Sequence, residues 1–227
     1  MSVEKTIEFV RREPLVPAFL DDAKHIPSLE TVAWIGVFGG LSLASHPLDA
    51  TTNQRLQGGS VSDAFFSAGA ALGENAALMA AGGGFYVWGR WKHESSIAHL
   101  GSDLLRGELE SELLTEGIKM AVGRPRPDGT SSSFPSGHAA SAFTAATVLQ
   151  RHFGLKAGAP AYAVAMYVAA SRLHDNKHYL SDVIFGAGID LAMGRAVTHV
   201  GGADYAFAPA VVRGGWALMV NRIQSQN

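Results

Sequence analysis

Apolar residues recur at helical spacing along most of this 227-residue chain. The longest such pattern covers residues 95–122, where they return mostly at steps of three and four: Ile97, Leu100, Leu104, Leu105, Leu109, Leu113 and Ile118. Charged residues fill the positions between them: Asp103, Arg106, Glu108, Glu110 and Glu112. This arrangement predicts one long amphipathic helix with an apolar and a polar side.

Other apolar stretches predict further helices, each bounded by capping, glycine or proline residues: 28–46, 61–71, 74–92, 137–152, 158–172 and 179–199. Ser28 is the predicted N-cap of the first helix, which stops before Pro47. The connection over 46–60 is polar and is predicted to contain no more than a short helix. Small residues from Ala80 to Gly84 predict a close approach between two helices.

The period changes in the last part of the chain. Apolar residues alternate on either side of Gly214-Gly215, which predicts a β-hairpin: Tyr205, Phe207, Pro209, Val211, Trp216, Leu218 and Val220. The predicted fold class is therefore all-α, a helical bundle of about six core helices with the active site at helix ends, plus a short C-terminal β-hairpin. A single domain is predicted over 1–227, with an extended N-terminal arm at 1–27, a helical core at 28–200 and the hairpin and tail at 201–227.

Composition narrows the class of protein. The net charge of −2 and the lack of a basic tract argue against a nucleic-acid partner, and the absence of Cys excludes disulfides. The first 30 residues lack a basic start followed by an apolar stretch, so no signal peptide is predicted. Most apolar stretches are shorter than the ~20 residues that a membrane-spanning helix needs. A water-soluble or peripherally membrane-attached domain is therefore favoured over a multispan protein.

Candidate chemistry is concentrated between Lys119 and Asp182, in three clusters with fixed internal gaps. They are Lys119 with Arg126-Pro127, then Pro135-Ser136-Gly137-His138, then Ser171-Arg172 with His178 and Asp182. Each cluster alone is weak evidence for an active site, since a Pro-Ser-Gly run is an ordinary turn and a lone histidine is usually structural. Because all three occur in one order, we interpret them as one active site.

Phosphoryl transfer explains these residue types. The reacting group spreads negative charge over three oxygens, so its site needs several fixed cationic and backbone donors. Lys119, Arg126 and Arg172 supply the cations. Ser136 is a predicted helix N-cap and Gly137 permits close backbone approach, so the helix start would present free N–H groups to the phosphate.

The two histidines complete the predicted mechanism. His178 is the predicted nucleophile, which would form a phosphohistidine. Asp182 lies one helical turn later and is predicted to accept a hydrogen bond from one nitrogen of that ring. His138 is predicted to protonate the leaving oxygen and afterwards to take a proton from the attacking water.

At these clusters the sequence resembles the type 2 phosphatidic acid phosphatase superfamily, which also includes bacterial non-specific acid phosphatases, glucose-6-phosphatase and vanadium haloperoxidases. The resemblance implies the same roles for His178, His138 and Asp182, and it implies phosphate contacts from five residues: Lys119, Arg126, Ser136, Gly137 and Arg172. The activity it implies is hydrolysis of phosphomonoesters, either a lipid phosphate such as phosphatidic acid or a small soluble phosphate. The implied location is the cell envelope, either periplasmic or membrane-associated.

Two alternatives remain open. A vanadate-dependent haloperoxidase would share the pocket, although the haloperoxidases of this family are much larger, and a non-catalytic membrane or scaffold bundle would leave the clusters unexplained.

Metal binding is not predicted, because three cations would repel a metal ion; no cofactor is expected, and vanadate should inhibit as a phosphate mimic. Arg124 is left open between a site cation and a solvated helix end, whereas His174, Asp175 and Lys177 are predicted to form a polar rim.

Overall fold

The computed structural model describes residues 15–56, 60–198, 203–212 and 215–224. Its helices are α1 (Leu15–His25), α2 (Leu29–Ser45), α3 (Asp49–Leu56), α4 (Ser60–Phe66), α5 (Gly69–Leu72), α6 (Asn75–Lys92), α7 (Ser95–Val122), α8 (Gly137–Phe153), α9 (Leu155–His174) and α10 (Leu180–Val197). A 3-10 turn at His46–Leu48 joins α2 to α3, and two strands follow α10, namely β1 (Ala203–Val212) and β2 (Gly215–Gln224). The predicted all-α class is confirmed.

Capping residues and glycines in the sequence predicted several helix ends correctly. Ser28 caps α2, and its Oγ accepts a hydrogen bond from the Thr31 amide at 3.1 Å. α7 has the predicted bounds and ends at Gly123, which adopts a left-handed conformation with φ of 59°. Lys119 therefore lies in the last turn of α7, as predicted.

Two predicted segments differ from the structure. Residues 15–25 of the predicted extended arm form helix α1; Pro17 is accommodated because it falls in the first turn, where its missing N–H has no helical partner to lose. The rest of the arm, 1–14, lies outside the described residues. The helix predicted at 61–71 is divided into α4 and α5. The chain turns at Ser67, whose hydroxyl donates to the Ala64 carbonyl at 2.8 Å and so competes for a helical acceptor.

The centre of the bundle is formed by α7, α8 and α10, with α6 packed along α7, α9 along α8 and α2 along α10. Glycines allow α6 and α7 to touch backbone to backbone. A Cβ added to Gly82 would lie 2.8 Å from the Leu105 amide nitrogen, and one added to Gly101 would lie 2.1 Å from the Tyr86 nitrogen. The close approach predicted from the small residues at 80–84 is thus confirmed at Gly82.

The predicted polar side of α7 is largely buried against other helices, as are Leu100 and Leu104 of its apolar side. Asp103 and Glu108 are fully buried, whereas Leu113 is 59% exposed. Arg106 is buried as well and forms ion pairs with Asp103 and with Asp22 of α1. Arg106 can occupy the interior because Asp22 of a neighbouring helix and Asp103 of the same helix supply its charge partners. Helical periodicity identified the polar stripe correctly but could not show that it faces inward.

An apolar cluster supports the helix ends that carry the second and third sequence clusters. It is formed by four buried side chains: Ala139, Ala169, Leu173 and Val183. These residues come from the start of α8, the end of α9 and the start of α10, so their packing fixes three helix ends against one another.

The two strands pair antiparallel, from Ala203 opposite Gln224 to Val212 opposite Gly215. This pairing confirms the predicted hairpin. The sheet has two strands, so the strand carrying Pro209 is an edge strand, as a proline in a sheet requires.

Within the described residues, none of the helices combines the length and the apolar character that crossing a membrane would demand.

Candidate active site

The three sequence clusters lie on five pieces of the fold that meet at one end of the bundle. In chain order these are the last turn of α7 with Lys119, the following loop with Arg126, the start of α8 with Ser136, Gly137 and His138, the last turn of α9 with Arg172, and the loop and first turn of α10 with His178 and Asp182. Direct contacts join them. The Ser136 amide donates to the Asp182 carbonyl at 3.1 Å, and a Cβ added to Gly137 would lie 3.2 Å from Lys119 Nζ. The sequence clusters therefore form one site.

His178 is 3% exposed and is held by the backbone on one side of its ring. Its Nδ1 lies 2.7 Å from the Ser133 carbonyl oxygen. A carbonyl can only accept, so this contact places the proton on Nδ1 and leaves Nε2 with a free lone pair. Burial lowers the pKa of His178, and the charge of Arg126 lowers it further, while Asp182 and the Ser133 carbonyl act in the opposite direction.

Asp182 does not accept the hydrogen bond that its spacing predicted. Its Oδ2 is 3.8 Å from His178 Nδ1, too long for a hydrogen bond, and it accepts instead from the Tyr179 amide at 2.8 Å. The Nδ1 proton goes to the Ser133 carbonyl because the loop before α8 passes closer to the ring than the carboxylate does. Asp182 acts on His178 through its charge and caps the start of α10.

Arg124 binds two buried carboxylates, those of the catalytic candidate Asp182 and of Asp49. Its guanidinium donates to Asp182 Oδ1 at 2.6 Å, to Ser181 Oγ at 2.8 Å and to Asp49 Oδ2 at 2.8 Å. It also lies 4.0 Å from the centre of the Tyr179 ring. Arg124 is therefore neither a solvated helix end nor a free site cation, because all of these contacts occupy it.

His138 is the more exposed of the two histidines, with one third of its side chain open to solvent. Its Nε2 lies 3.4 Å from Glu74 Oε2, at the start of α6. Burial lowers the pKa of His138, and the charges of Arg172, His178 and Lys119 lower it further, whereas Glu74 raises it. His138 is therefore within electrostatic range of His178 and of two of the predicted phosphate-binding cations, Arg172 and Lys119.

The three predicted phosphate-binding cations differ in the hydrogen bonds and ion pairs that they already form within the protein. Lys119 pairs with Glu116, and Arg172 is buried, with contacts to Asp175 and to Ser171 Oγ. The Arg126 Nε atom is buried and has no hydrogen-bond partner among the described residues. A buried guanidinium donor without a partner is costly, so this atom is available to an anion that enters the site.

The start of α8 has the predicted capped geometry. Ser136 is fully buried and accepts from the Ala139 amide at 3.5 Å, which is a long contact. Gly186 of α10 packs directly on this turn, since a Cβ there would lie 2.7 Å from the Ser136 carbonyl oxygen. Gly137 is the first residue of the helix, so its amide and the next ones are the unpaired donors of a helix N-terminus.

The predicted polar rim is partly a structural network. Asp175 binds Arg172, and Lys177 lies 2.8 Å from Asp128 across the loop. His174 is 8% exposed and stacks near Phe66 of α4, with 4.7 Å between ring centres. Asp175 and Lys177 thus stay near the surface as predicted, while His174 packs inward.

Sequence reasoning missed three contributors to the site. The Ser133 carbonyl is a backbone group, which no side-chain pattern can reveal. Glu74 and Asp49 lie 45 or more residues before the first motif position, on elements that reach the site only through folding. In the described part of the chain, no group of three or more His, Cys, Asp or Glu side chains is placed to hold a metal ion.

Comparison with known proteins agrees with this geometry. The model of the PAP2 superfamily matches residues 103–205. A lipid A 1-phosphatase from Porphyromonas gingivalis is 37% identical over 115 residues, which are 49% of this chain and 25% of that protein. This chain therefore spans about a quarter of the length of that curated relative.

Two solved structures share the fold. The transmembrane PAP2-type phosphatidylglycerolphosphate phosphatase from Bacillus subtilis has a TM-score of 0.57 at 21% identity, over 74% of this chain and 94% of that one. Aquifex aeolicus LpxE has a TM-score of 0.56 at 23% identity, over 66% of this chain and 94% of that one. The segment matched by the family model contains every candidate catalytic and phosphate-binding residue. Over residues 103–205, the chain is therefore similar to the PAP2 superfamily.

Proposed function

We propose that this protein hydrolyses phosphomonoesters without a metal ion, through a phosphohistidine formed on His178. The observation that carries the proposal is the buried Arg126 Nε, which has no partner among the described residues and whose guanidinium charge acts on His178. Lys119 and Arg172 act in the same way on His138. A bound phosphate would give Arg126 its missing acceptor and would neutralise the concentrated positive charge.

In the first step, His178 Nε2 attacks phosphorus, the bond between phosphorus and the leaving oxygen breaks, and a proton passes from His138 to that oxygen. The Ser133 carbonyl supports this role because it keeps the proton on the other nitrogen. The lowered pKa of His178 also supports it, since a neutral ring is needed for the attack.

In the second step, water attacks the phosphohistidine, the bond between nitrogen and phosphorus breaks, and His138 takes the proton that the water loses. His138 must be protonated before the first step although burial and its cationic neighbours lower its pKa. The negative charge of the substrate counters those cations, so we expect binding to raise the pKa of His138. The cations and the free amides of α8 stabilise the three equatorial oxygens throughout.

We further propose that the substrate is a lipid phosphate and that the protein acts at a membrane of the cell envelope. The relative at 37% identity is a lipid A phosphatase, which supports a phosphorylated lipid. The surface supports it too, because large apolar side chains on several helices are half or more exposed: Val16, Leu20, Leu29, Val32, Val37, Leu41, Leu43, Val87, Trp91, Leu113, Leu155 and Met166. So much exposed apolar area is typical of proteins that contact lipid or a partner.

The nucleophile is tested by replacing it. The change His178→Ala should abolish phosphate release from p-nitrophenyl phosphate and from phosphatidic acid. Rapid quench of the unmodified protein with labelled substrate should trap a phosphoenzyme that is stable in alkali and labile in acid, and His178→Ala should trap none. His99→Ala is the matched control, because that histidine lies far along α7 and its side chain is half exposed. Substantial turnover by His178→Ala would refute the mechanism.

Metal independence and location have their own tests. Activity should survive EDTA and be inhibited by vanadate, whose trigonal-bipyramidal geometry matches the reacting phosphorus. Activity lost in EDTA and restored by a divalent ion would contradict the metal-free chemistry. Of the two locations that the sequence favoured, we propose peripheral attachment: the protein should sediment with membranes, and full recovery in the supernatant without detergent would contradict it.

A further inference from the structure

A cavity of about 360 Å³ lies between α2, the start of α10 and the loop after α7. Its lining consists of Gly39, Ser42, Leu43, His46, Val122, Arg124, Phe134, Ser181 and Phe185. None of the predicted phosphate-binding residues is among them. The cavity is therefore separate from the phosphate pocket, and the proposed chemistry leaves it unused.

The cavity offers little to a polar ligand. Ser42 Oγ donates to the Ser181 carbonyl at 2.8 Å, and Ser181 Oγ donates to Asp49 at 2.6 Å. Arg124 is already bound to the carboxylates of Asp49 and Asp182. The remaining wall is mostly apolar, with Phe134 and Phe185 stacked 4.8 Å apart at their ring centres. An occupant would gain mainly by burying apolar surface, because Ser42, Ser181 and Arg124 are already paired and His46 is the remaining polar side chain of the lining.

The cavity shares a wall with the phosphate site. Phe134 lies between Ser133, whose carbonyl holds His178, and the Pro135-Ser136 turn that starts α8. On the other side, Ser181 and Arg124 adjoin Asp182 directly. These contacts lie on the Nδ1 side of His178, so an apolar group joined to a phosphate at Nε2 would reach the cavity by passing beside the ring, which the flexible glycerol linker of a lipid phosphate allows.

We infer that this cavity binds the apolar tail of the substrate, namely one acyl chain of a lipid phosphate. The inference rests on the proposed function and adds the part of the site that would distinguish a lipid from a small soluble phosphate. A water molecule occupies about 30 Å³ and a methylene group is of similar size, so the cavity has room for about a dozen methylenes. Leu43 lies on the wall with 76% of its side chain exposed, so it marks the side where a chain could enter.

The test narrows the cavity and compares chain lengths. Gly39 lies on the wall, and a Cβ there would be 3.5 Å from the Phe185 ring, so a side chain at this position enters the cavity without a backbone clash. Gly39→Leu should lower the ratio of kcat/KM for dioleoyl phosphatidic acid to kcat/KM for a dibutyryl analogue, both in mixed micelles. Each displaced methylene is worth about a fourfold change, so the loss of two predicts at least about a tenfold fall. Gly39→Ala should have a smaller effect of the same kind.

Gly40→Leu is the matched control, because Gly40 is the next residue on α2 and has no atom within 4 Å of its added Cβ. Its chain-length ratio should equal that of the unmodified protein. If Gly39→Leu does not fold, Leu43→Trp tests the same wall, and Val37→Trp, exposed on α2 away from the cavity, is its control.

The inference is overturned if the wall variants lower activity equally on both chain lengths or leave the ratio unchanged. An equal loss would mean that the cavity supports the site rather than the lipid. These results differ from a failure of the proposed function, in which the unmodified protein would release phosphate from neither substrate.

Discussion

Arg124 should be a strong determinant of stability, although it lies outside the family motif. It is 20% exposed and binds two carboxylates, those of Asp49 and Asp182, which are 4% and 0% exposed. Replacing it by leucine would leave both carboxylates buried without their cation. The Tyr179 ring would also lose the guanidinium that stacks on it.

The size of this effect follows from the burial of the partners. Removing one member of a buried ion pair typically destabilises by about 3–5 kcal/mol, and the partial exposure of Arg124 points to the lower end, about 3 kcal/mol. Arg124→Lys keeps the charge but loses the planar fork that serves both carboxylates, so we expect a loss of about 1–2 kcal/mol. Domains are commonly stable by about 5–15 kcal/mol, so both variants should still fold.

Urea denaturation of the detergent-solubilised protein at neutral pH measures these losses. Arg124→Leu combined with Asp49→Asn should lose less than the sum of the two single changes, because the second change removes one stranded charge. The control is Lys24→Leu, which breaks an exposed pair with Asp21 and should change stability by no more than about 0.5 kcal/mol. If Arg124→Leu were as mild as this control, the ion network would not hold Asp182 as argued.

Three further predictions concern single groups. His138→Ala should reduce kcat much more on an alkyl phosphate than on p-nitrophenyl phosphate, whose leaving oxygen needs no proton; equal losses would mean that His138 is not the general acid. Glu74→Gln should move the alkaline limb of the rate profile to lower pH, because Glu74 raises the pKa of the acid His138, and an unmoved limb would exclude that role. Burial raises the pKa of Glu110 to about 7, so its contribution to stability is present below its unfolded pKa and is lost as pH rises through 7. Glu110→Gln should therefore stabilise the protein relative to the unmodified chain at pH 8.5 but not at pH 4.5, as urea denaturation would measure; equal effects at both would contradict it.

The sequence alone predicted the class of the fold correctly, and it also supplied the candidates for the reacting groups. Helical spacing depends on side chains three or four positions apart, and caps such as Ser28 and Ser136 depend on amides within the same turn. Both are local features, so the amino-acid sequence is enough to predict them. The order and gaps of the three clusters were enough to predict that Lys119 and His178 belong to one phosphate site. The hairpin was predictable for the same reason, since its period and turn are local.

Tertiary structure decided what each polar group faces. The acceptor for His178 is the Ser133 carbonyl and not Asp182, because a loop 45 residues away passes closer to the ring. The burial of the α7 charges could not be predicted, since Arg106 pairs with Asp22 of another helix as well as with Asp103 of its own. Periodicity records which residues share a face, but the environment of that face depends on helices that are distant in the chain. That is why the sequence predicted the candidate catalytic groups, whereas their orientation and electrostatic surroundings depend on the folded protein.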